Sequence, residues 1–255
     1  MRQLRPLIIV AGLVLLWQAV VSAFDLPRFI LPGPAEVAAA WWQNAGTLLV
    51  HARYTVIEIV FGLALGVGLG SATALAMAYF RPARDWLLPV LVVSQAIPVF
   101  ALAPILVLWL GFGVASKIAM ATLIIYFPVT AAFFDGLRRT DPGWLDLART
   151  MGGGRLAILR EVRVPSALPA LGSGVRVATA VAPIGAVIGE WVGASAGLGY
   201  IMLHANARTQ TALMFAALLT LAVIAVALYY AVDGAVRRLT RWQAESNPTD
   251  DPLRP

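Results

Sequence analysis

The run Gly193-Ala194-Ser195-Ala196-Gly197 has the Gly-x-Ser-x-Gly spacing of a serine nucleophile, and His204 follows as a possible base. A hydrolase would also need a carboxylate to orient that imidazole, and a strand-to-helix turn to lift the hydroxyl. Ser195 and His204 instead share one connection rich in Gly and Ala with no acid placed to help, so a flexible turn is the simpler use. Nucleotide chemistry is excluded more firmly. A phosphate-cradling loop needs Gly-x4-Gly-Lys-Ser/Thr, and the sole lysine, Lys117, follows Ser116 in no such frame. There are no cysteines and only two histidines (His51 and His204), which removes thiol chemistry and leaves little for a metal centre. The remaining chemistry-bearing residues are polar groups inside apolar runs. These are Glu58, Gln95 beside Pro98, Arg176 and Glu190, and such residues in hydrocarbon mark pathways or pairings by default.

The elements that must hold them follow from composition. Of the 255 residues, 60% are hydrophobic and only 13% charged, with a mean hydropathy of +0.81. A soluble domain carries about 25% charged residues, so hydrocarbon is the main solvent here. Six apolar stretches, at 6–24, 56–80, 86–110, 118–134, 170–194 and 212–232, match the roughly 20 residues a spanning helix needs. The predicted fold class is therefore all-α, a polytopic membrane protein with six transmembrane helices. Pro98, Pro104, Pro128 and Pro183 would kink the third to fifth of them.

Arginines set the orientation. Arg2, Arg5, Arg81, Arg84, the six between 138 and 163, Arg237, Arg238, Arg241 and Arg254 fall on one side, against Arg28, Arg53, Lys117 and Arg208 on the other. Both termini are expected to be cytoplasmic, and the basic balance reflects this asymmetry rather than nucleic-acid binding. Arg2 and Arg5, an apolar run and Val21-Ser22-Ala23 imitate a signal peptide, but the run exceeds the usual signal core, which favours retention. The expected organisation is residues 1–54 as the first helix with an external loop, 55–240 as the core, and 241–255 as a disordered cytoplasmic tail. Within the external loop, Leu31-Pro32-Gly33-Pro34 leads into a short interfacial helix over 35–42, where Trp41 and Trp42 suit the headgroup level.

In the polar mouths, Glu58 and Glu190 line a pathway or pair with Arg53 or Lys117, and Arg176 is expected to snorkel to the interface. Gly62, Gly66, Gly70, Ala74 and Ala78 form a small-residue stripe for close helix packing.

The long cytoplasmic loop, 136–169, is the most informative segment. Asp141 and Pro142 open a helix as cap and first residue. Trp144, Leu147, Ala148 and Met151 then recur on one face, and Gly152-Gly153-Gly154 stops it. A second short helix, with Leu156, Leu159 and Val162 on one side, is expected to end at Pro165 and Pro169. Such a knob fits a partner's groove or lies on the membrane surface.

Here the chain resembles the permease subunits of bacterial ATP-binding-cassette importers. Their cytoplasmic motif reads Glu-Ala-Ala, three residues, Gly, nine residues, then Ile-x-Leu-Pro. This chain reads Asp146-Leu147-Ala148, three residues, Gly152, nine residues, then Val162-Arg163-Val164-Pro165. Leu31-Pro32-Gly33-Pro34, the Gly-rich second helix, and Gly189-Glu190-Trp191 with Gly197-Leu198-Gly199-Tyr200 are similar to the branch importing nitrate, sulfonates, taurine and thiamine pyrimidine precursors. The stretches Gln95–Gly113 and Phe133–Met151 lean toward the last.

The resemblance implies a type I importer permease fold in the bacterial inner membrane, not an enzyme, with no cofactor on this chain and ATP and Mg on a partner ATPase. It implies an extracytoplasmic solute-binding protein and a second permease copy, in a homodimer or with a close relative, surrounded by membrane lipid. It also implies that Asp141, Trp144, Leu145, Asp146, Leu147, Ala148, Met151, Gly152 and Pro165 couple to the ATPase, while Gln95, Pro98, Glu58 and Glu190 serve the pathway or its gate. The rival of another class is a stand-alone channel or secondary transporter, which would leave the docking loop unexplained.

Overall fold

The computed structural model describes residues 5–242, and all the regular structure among them is helical. Of the expected tail, 243–255 lies outside the described residues. The helices are α1 (Arg5–Ala23), α2 (Pro34–Gln43), α3 (Ala45–Tyr79), α4 (Arg81–Ser94), α5 (Val99–Leu110), α6 (Val114–Arg138), α7 (Pro142–Thr150), α8 (Arg155–Ile158), α9 (Val164–Gly193), α10 (Leu198–Ala207) and α11 (Thr211–Leu239). Four apolar runs are long enough to cross a membrane by themselves: α3, α6, the run from α8 through α9, and α11. The pair α4 and α5 qualifies only together, and α1 contributes a shorter apolar helix. The chain is a multi-pass membrane protein of spanning helices.

Three elements depart from the sequence expectation. α3 starts at Ala45, so residues 45–54, expected as loop, are helix. Leu48 and Ala52 are buried there, and this packing outweighs the polar look of His51 and Arg53. At 1.5 Å per residue, the 35 residues of α3 run about 50 Å, longer than a hydrocarbon core of about 30 Å.

The third apolar stretch is not one kinked helix but two helices bent by 105°. Gln95, Ala96 and Ile97 donate to the carbonyls three residues back, which tightens the last turn of α4, and Pro98 has no N–H to continue it.

Pro165 and Pro169 do not end a helix. A wide turn over Leu159–Arg163 carries the chain from α8 into α9, with Val164 N–H reaching back five residues to Leu159 O. A proline ring collides with the carbonyl four residues before it, and the wider turn moves that carbonyl aside.

The chain forms two compact units. The first combines the segments up to Gly62, Val99–Ala121 and Ala182–Val226, and the second combines Leu63–Pro98, Thr122–Val181 and the chain from Ala227. In the first, Trp17 of α1 stacks on Phe215 of α11 with centroids 5.9 Å apart, and Trp41 of α2 donates to Thr220 Oγ1 at 3.0 Å. The second is packed around Ala74, Met77, Leu91, Phe133, Phe134, Leu137, Leu159 and Ala167.

The small-residue stripe serves packing in both. Gly62 lies against Ala121 in the first, while Gly66 meets Ile125 and Gly70 meets Val129 and Thr130 in the second. Lipid is as apolar as leucine, so helix association in a bilayer relies on such close approach rather than on hydrophobic burial.

Candidate functional site

Two constellations carry the site, one in each unit. In the second unit, α7 and its exit form the hairpin knob. Asp141 caps it, its carboxylate accepting from Gly143 N–H at 2.7 Å, and Pro142 takes the first helical position. Gly153 N–H returns to Ala148 O and Gly152 N–H to Arg149 O, both at 2.9 Å, a Schellman closure. Gly152 sits at φ +80°, where an L side chain is strained.

The helix so fixed leaves its apolar face unburied, with Trp144 60%, Leu147 61% and Met151 80% exposed. With Ala148 they wall one side of an open groove of about 730 Å³, and Val162, Pro165, Pro169 and Trp242 form the other. Leu145 points to the opposite side of α7, and Asp146 pairs with Arg149 at 2.7 Å. The expected coupling residues therefore divide. Trp144, Leu147, Ala148, Met151 and Pro165 line one apolar groove, whereas Asp141 and Gly152 shape the helix that borders it.

In the first unit, Glu58 and Glu190 are 2% and 1% exposed. The Glu190 carboxyl sits at the start of α10, where four backbone N–H groups have no partner within the helix. All four are met. Gly197 N–H donates to His51 Nδ1 at 3.0 Å and Leu198 N–H to Thr55 Oγ1 at 2.9 Å. Gly199 and Tyr200 N–H donate to the Glu190 carboxyl, which also accepts from the Thr55 hydroxyl at 2.6 Å. Glu58 lies beside Glu190, and its Oε2 is buried without a partner.

Gly197 sits at φ +119°, and a Cβ there would strike the Glu190 carboxyl. The Gly-Glu-Trp and Gly-Leu-Gly-Tyr strings are thus two halves of one joint. His51 and Thr55 escaped the sequence reading, although 51, 55 and 58 fall on one face of a helix and could have been found by that spacing.

The expected partners of the carboxyls go elsewhere. Lys117 gives its ammonium to the Phe112 and Gly113 carbonyls, each at 2.9 Å. Neither Lys117 nor Arg53 forms a salt bridge with Glu58 or Glu190 among the described residues. Ser195 is exposed, and His204 turns to Tyr200 O of its own helix at 3.0 Å. The serine pattern lies between two helices rather than at a strand-to-helix turn. Gln95 and Pro98 lie exposed at the bend between α4 and α5. Arg176 does not snorkel: its Nε meets Asp233 Oδ1 of α11 at 2.6 Å, and Arg237 holds the other oxygen at 2.9 Å. A charge that finds a partner on the next helix has no need to reach for the interface.

Known proteins match this chain over most of its length. Residues 64–244 match the family model described as binding-protein-dependent transport system inner membrane component. A probable ABC transporter permease protein of Haemophilus influenzae is 53% identical, over 93% of this chain and 97% of its own. A riboflavin transport system permease protein of Chloroflexus aurantiacus is 38% identical over 91% and 87%. A formylaminopyrimidine transport permease protein of Halalkalibacterium halodurans is 33% identical over 94% and 96%. Among solved structures, a chain of the inward-facing MetNI methionine ABC transporter superposes with a TM-score of 0.60 at 22% identity, covering 78% of this chain and 97% of that one.

Proposed function

We propose, from the premise that this chain belongs to the binding-protein-dependent transport system inner membrane component family, that it moves a small planar nutrient and is driven through the α7 hairpin. It is the permease subunit of an ATP-binding-cassette importer, a transport component and not an enzyme, whose ATPase is a separate subunit. The observation that carries the coupling assignment is the exposed face of Trp144, Leu147 and Met151 on a helix closed at both ends. Exposed apolar faces of this kind, on a rigid short helix, suit a groove in a partner. Asp141, Leu145, Asp146, Ala148, Gly152 and Pro165 support that face, and the partner is the ATPase that binds ATP and Mg.

At the bend of α4 and α5, backbone without helical bonding would face hydrocarbon, which is tolerated only against protein or a wet cavity. We therefore assign Gln95 and Pro98 to the pathway, against a second copy of the chain. Glu58 and Glu190 belong to the gate, because their joint ties α3, α9 and α10 together and must travel with any opening there. Substrate would arrive on an extracytoplasmic binding protein at the inner membrane, with both termini cytoplasmic and access alternating as the ATPases close.

For the cargo, the neutralised Arg176 favours an uncharged molecule over a sulfonate, taurine or nitrate, since Asp233 already holds that cation. The riboflavin and formylaminopyrimidine relatives share a pyrimidine ring in the molecules that name them, and we assign a thiamine pyrimidine precursor or a close heterocycle. The test is co-purification and uptake with the neighbouring binding protein and ATPase. Trp144→Glu and Gly152→Asp should abolish ATPase capture and uptake while membrane insertion stays intact. Labelled pyrimidine should be taken up and taurine refused. Normal uptake in both variants would remove the coupling assignment, and uptake without any ATPase would make the chain a self-sufficient transporter.

A further inference from the structure

Behind the docking face, on the other side of α7, lies a second cavity of about 600 Å³ that the transport reading does not use. Six arginines line it: Arg81 and Arg84 at the start of α4, Arg138 closing α6, Arg149 on α7, Arg155 opening α8, and Arg163 at the end of the wide turn. No carboxylate is among the lining residues. Asp85 takes Arg84 at 3.2 Å and Asp146 takes Arg149 at 2.7 Å. Arg138 lies over the Phe134 ring and Arg155 over the Tyr79 ring, at 5.6 and 5.9 Å. Arg81 and Arg163 meet no acid within salt-bridge distance among the described residues, and Arg163 Nε is buried with no acceptor.

This is an unbalanced arrangement. Guanidinium groups gathered from five elements repel one another, and a buried N–H without an acceptor is costly. The neighbouring arginine-lined cavity, with Arg139, Arg176, Arg237 and Arg241, shows the contrast. Asp141 lines that one, and Asp233 holds two of its arginines. No acid lines the six-arginine cavity, and Asp85 and Asp146 answer only Arg84 and Arg149, so the other guanidiniums call for a counter-charge from outside. Guanidinium forks match phosphate oxygens two at a time, and the volume is that of a ligand pocket rather than of a single ion. Charge asymmetry puts these helix ends on the cytoplasmic side, where basic pockets between spanning helices meet anionic headgroups.

We propose that this cavity binds a phosphate-bearing anion, the headgroup of an anionic phospholipid of the cytoplasmic leaflet. Bound there, the phosphate ties α7 and α8 to the ends of α3, α4 and α6, and so sets the platform from which the docking face is presented. The proposal stands independently of the cargo.

The test uses the full-length chain, delipidated in neutral detergent. Binding and unfolding midpoint are followed on adding phosphatidylglycerol, phosphatidylcholine or inorganic phosphate. Phosphatidylglycerol should bind and raise the midpoint, and phosphatidylcholine should not. Arg138→Gln and Arg155→Gln should each weaken binding roughly fivefold, and together about 25-fold. Lysine at both positions should recover most of the affinity, while Arg208→Gln should change nothing. If inorganic phosphate binds the arginines and displaces the lipid, the site stands with a soluble phosphate as its source. Equal binding of phosphatidylcholine, or undiminished binding in the double variant, overturns the proposal. So does a double variant that keeps the lipid and loses only the ATPase, because the arginines then serve an acidic protein face. Should the double variant fail to fold, photoactivatable phosphatidylglycerol on the wild-type chain decides. Labels within 79–84 and 134–163 support the site, and labels only elsewhere overturn it.

Discussion

Glu190 illustrates how one side chain settles several questions at once. Its carboxyl takes two N–H groups at the head of α10 and the Thr55 hydroxyl, so three donors depend on it in a place closed to water. Orphaning a buried donor costs about 1–3 kcal/mol. Glu190→Ala should therefore lower the unfolding midpoint in detergent well beyond the effect of a surface substitution. Gly197→Ala should be as harmful for a different reason, since the backbone there holds φ +119° and the new methyl would strike the carboxyl. In the double variant Glu190→Ala/Gly197→Ala the clash is gone, so the two losses should fall short of adding. Strict additivity would mean that the glycine is required by its backbone angle alone.

Among elements, a branched ion pair ties α9 to α11. Among the described residues Arg176 pairs with Asp233 alone, whereas Asp233 also holds Arg237. Removing Asp233 strands a cation within a spanning helix; removing Arg176 leaves the acid still partnered. Thermal unfolding should rank Asp233→Ala as more damaging than Arg176→Ala, with the double variant milder than Asp233→Ala. The reverse order would show that α9 and α11 are held by packing, for example Gly172 against Val236, rather than by charge. The wide turn before Pro165 belongs to the same scale. It lets the α7 hairpin continue into a spanning helix without a loop.

At the scale of the molecule, the proposed contact of the α4–α5 bend with a second copy is open to a direct test. The chain has no cysteine, so one introduced at Gln95 reports by itself. Gln95→Cys should form a disulfide-linked dimer under mild oxidation of membranes, while Val223→Cys on the 69% exposed face of α11 should stay monomeric. Dimers from both positions would signal random collision in the bilayer, and none from Gln95 would place the bend against lipid or the binding protein.

Much of this protein is legible in one dimension. Spanning segments follow from hydropathy because hydrocarbon leaves backbone groups no partner but their own helix. The α7 hairpin follows from Asp141-Pro142 and the glycine run because caps and left-handed residues act locally. What the sequence could not decide were events that depend on which surfaces meet. Nothing local tells that residues before 55 are helix, that the third apolar stretch turns through 105° at Pro98, or that a wide turn lets Pro165 stay helical. Nor does it tell that Glu190 caps a helix, that Arg176 finds Asp233 rather than water, or that six arginines scattered over more than eighty residues of chain enclose one cavity. Periodicity and capping are properties of neighbours along the chain. Pairing of charges and closing of pockets are properties of neighbours in space, and only the packed helices supply those.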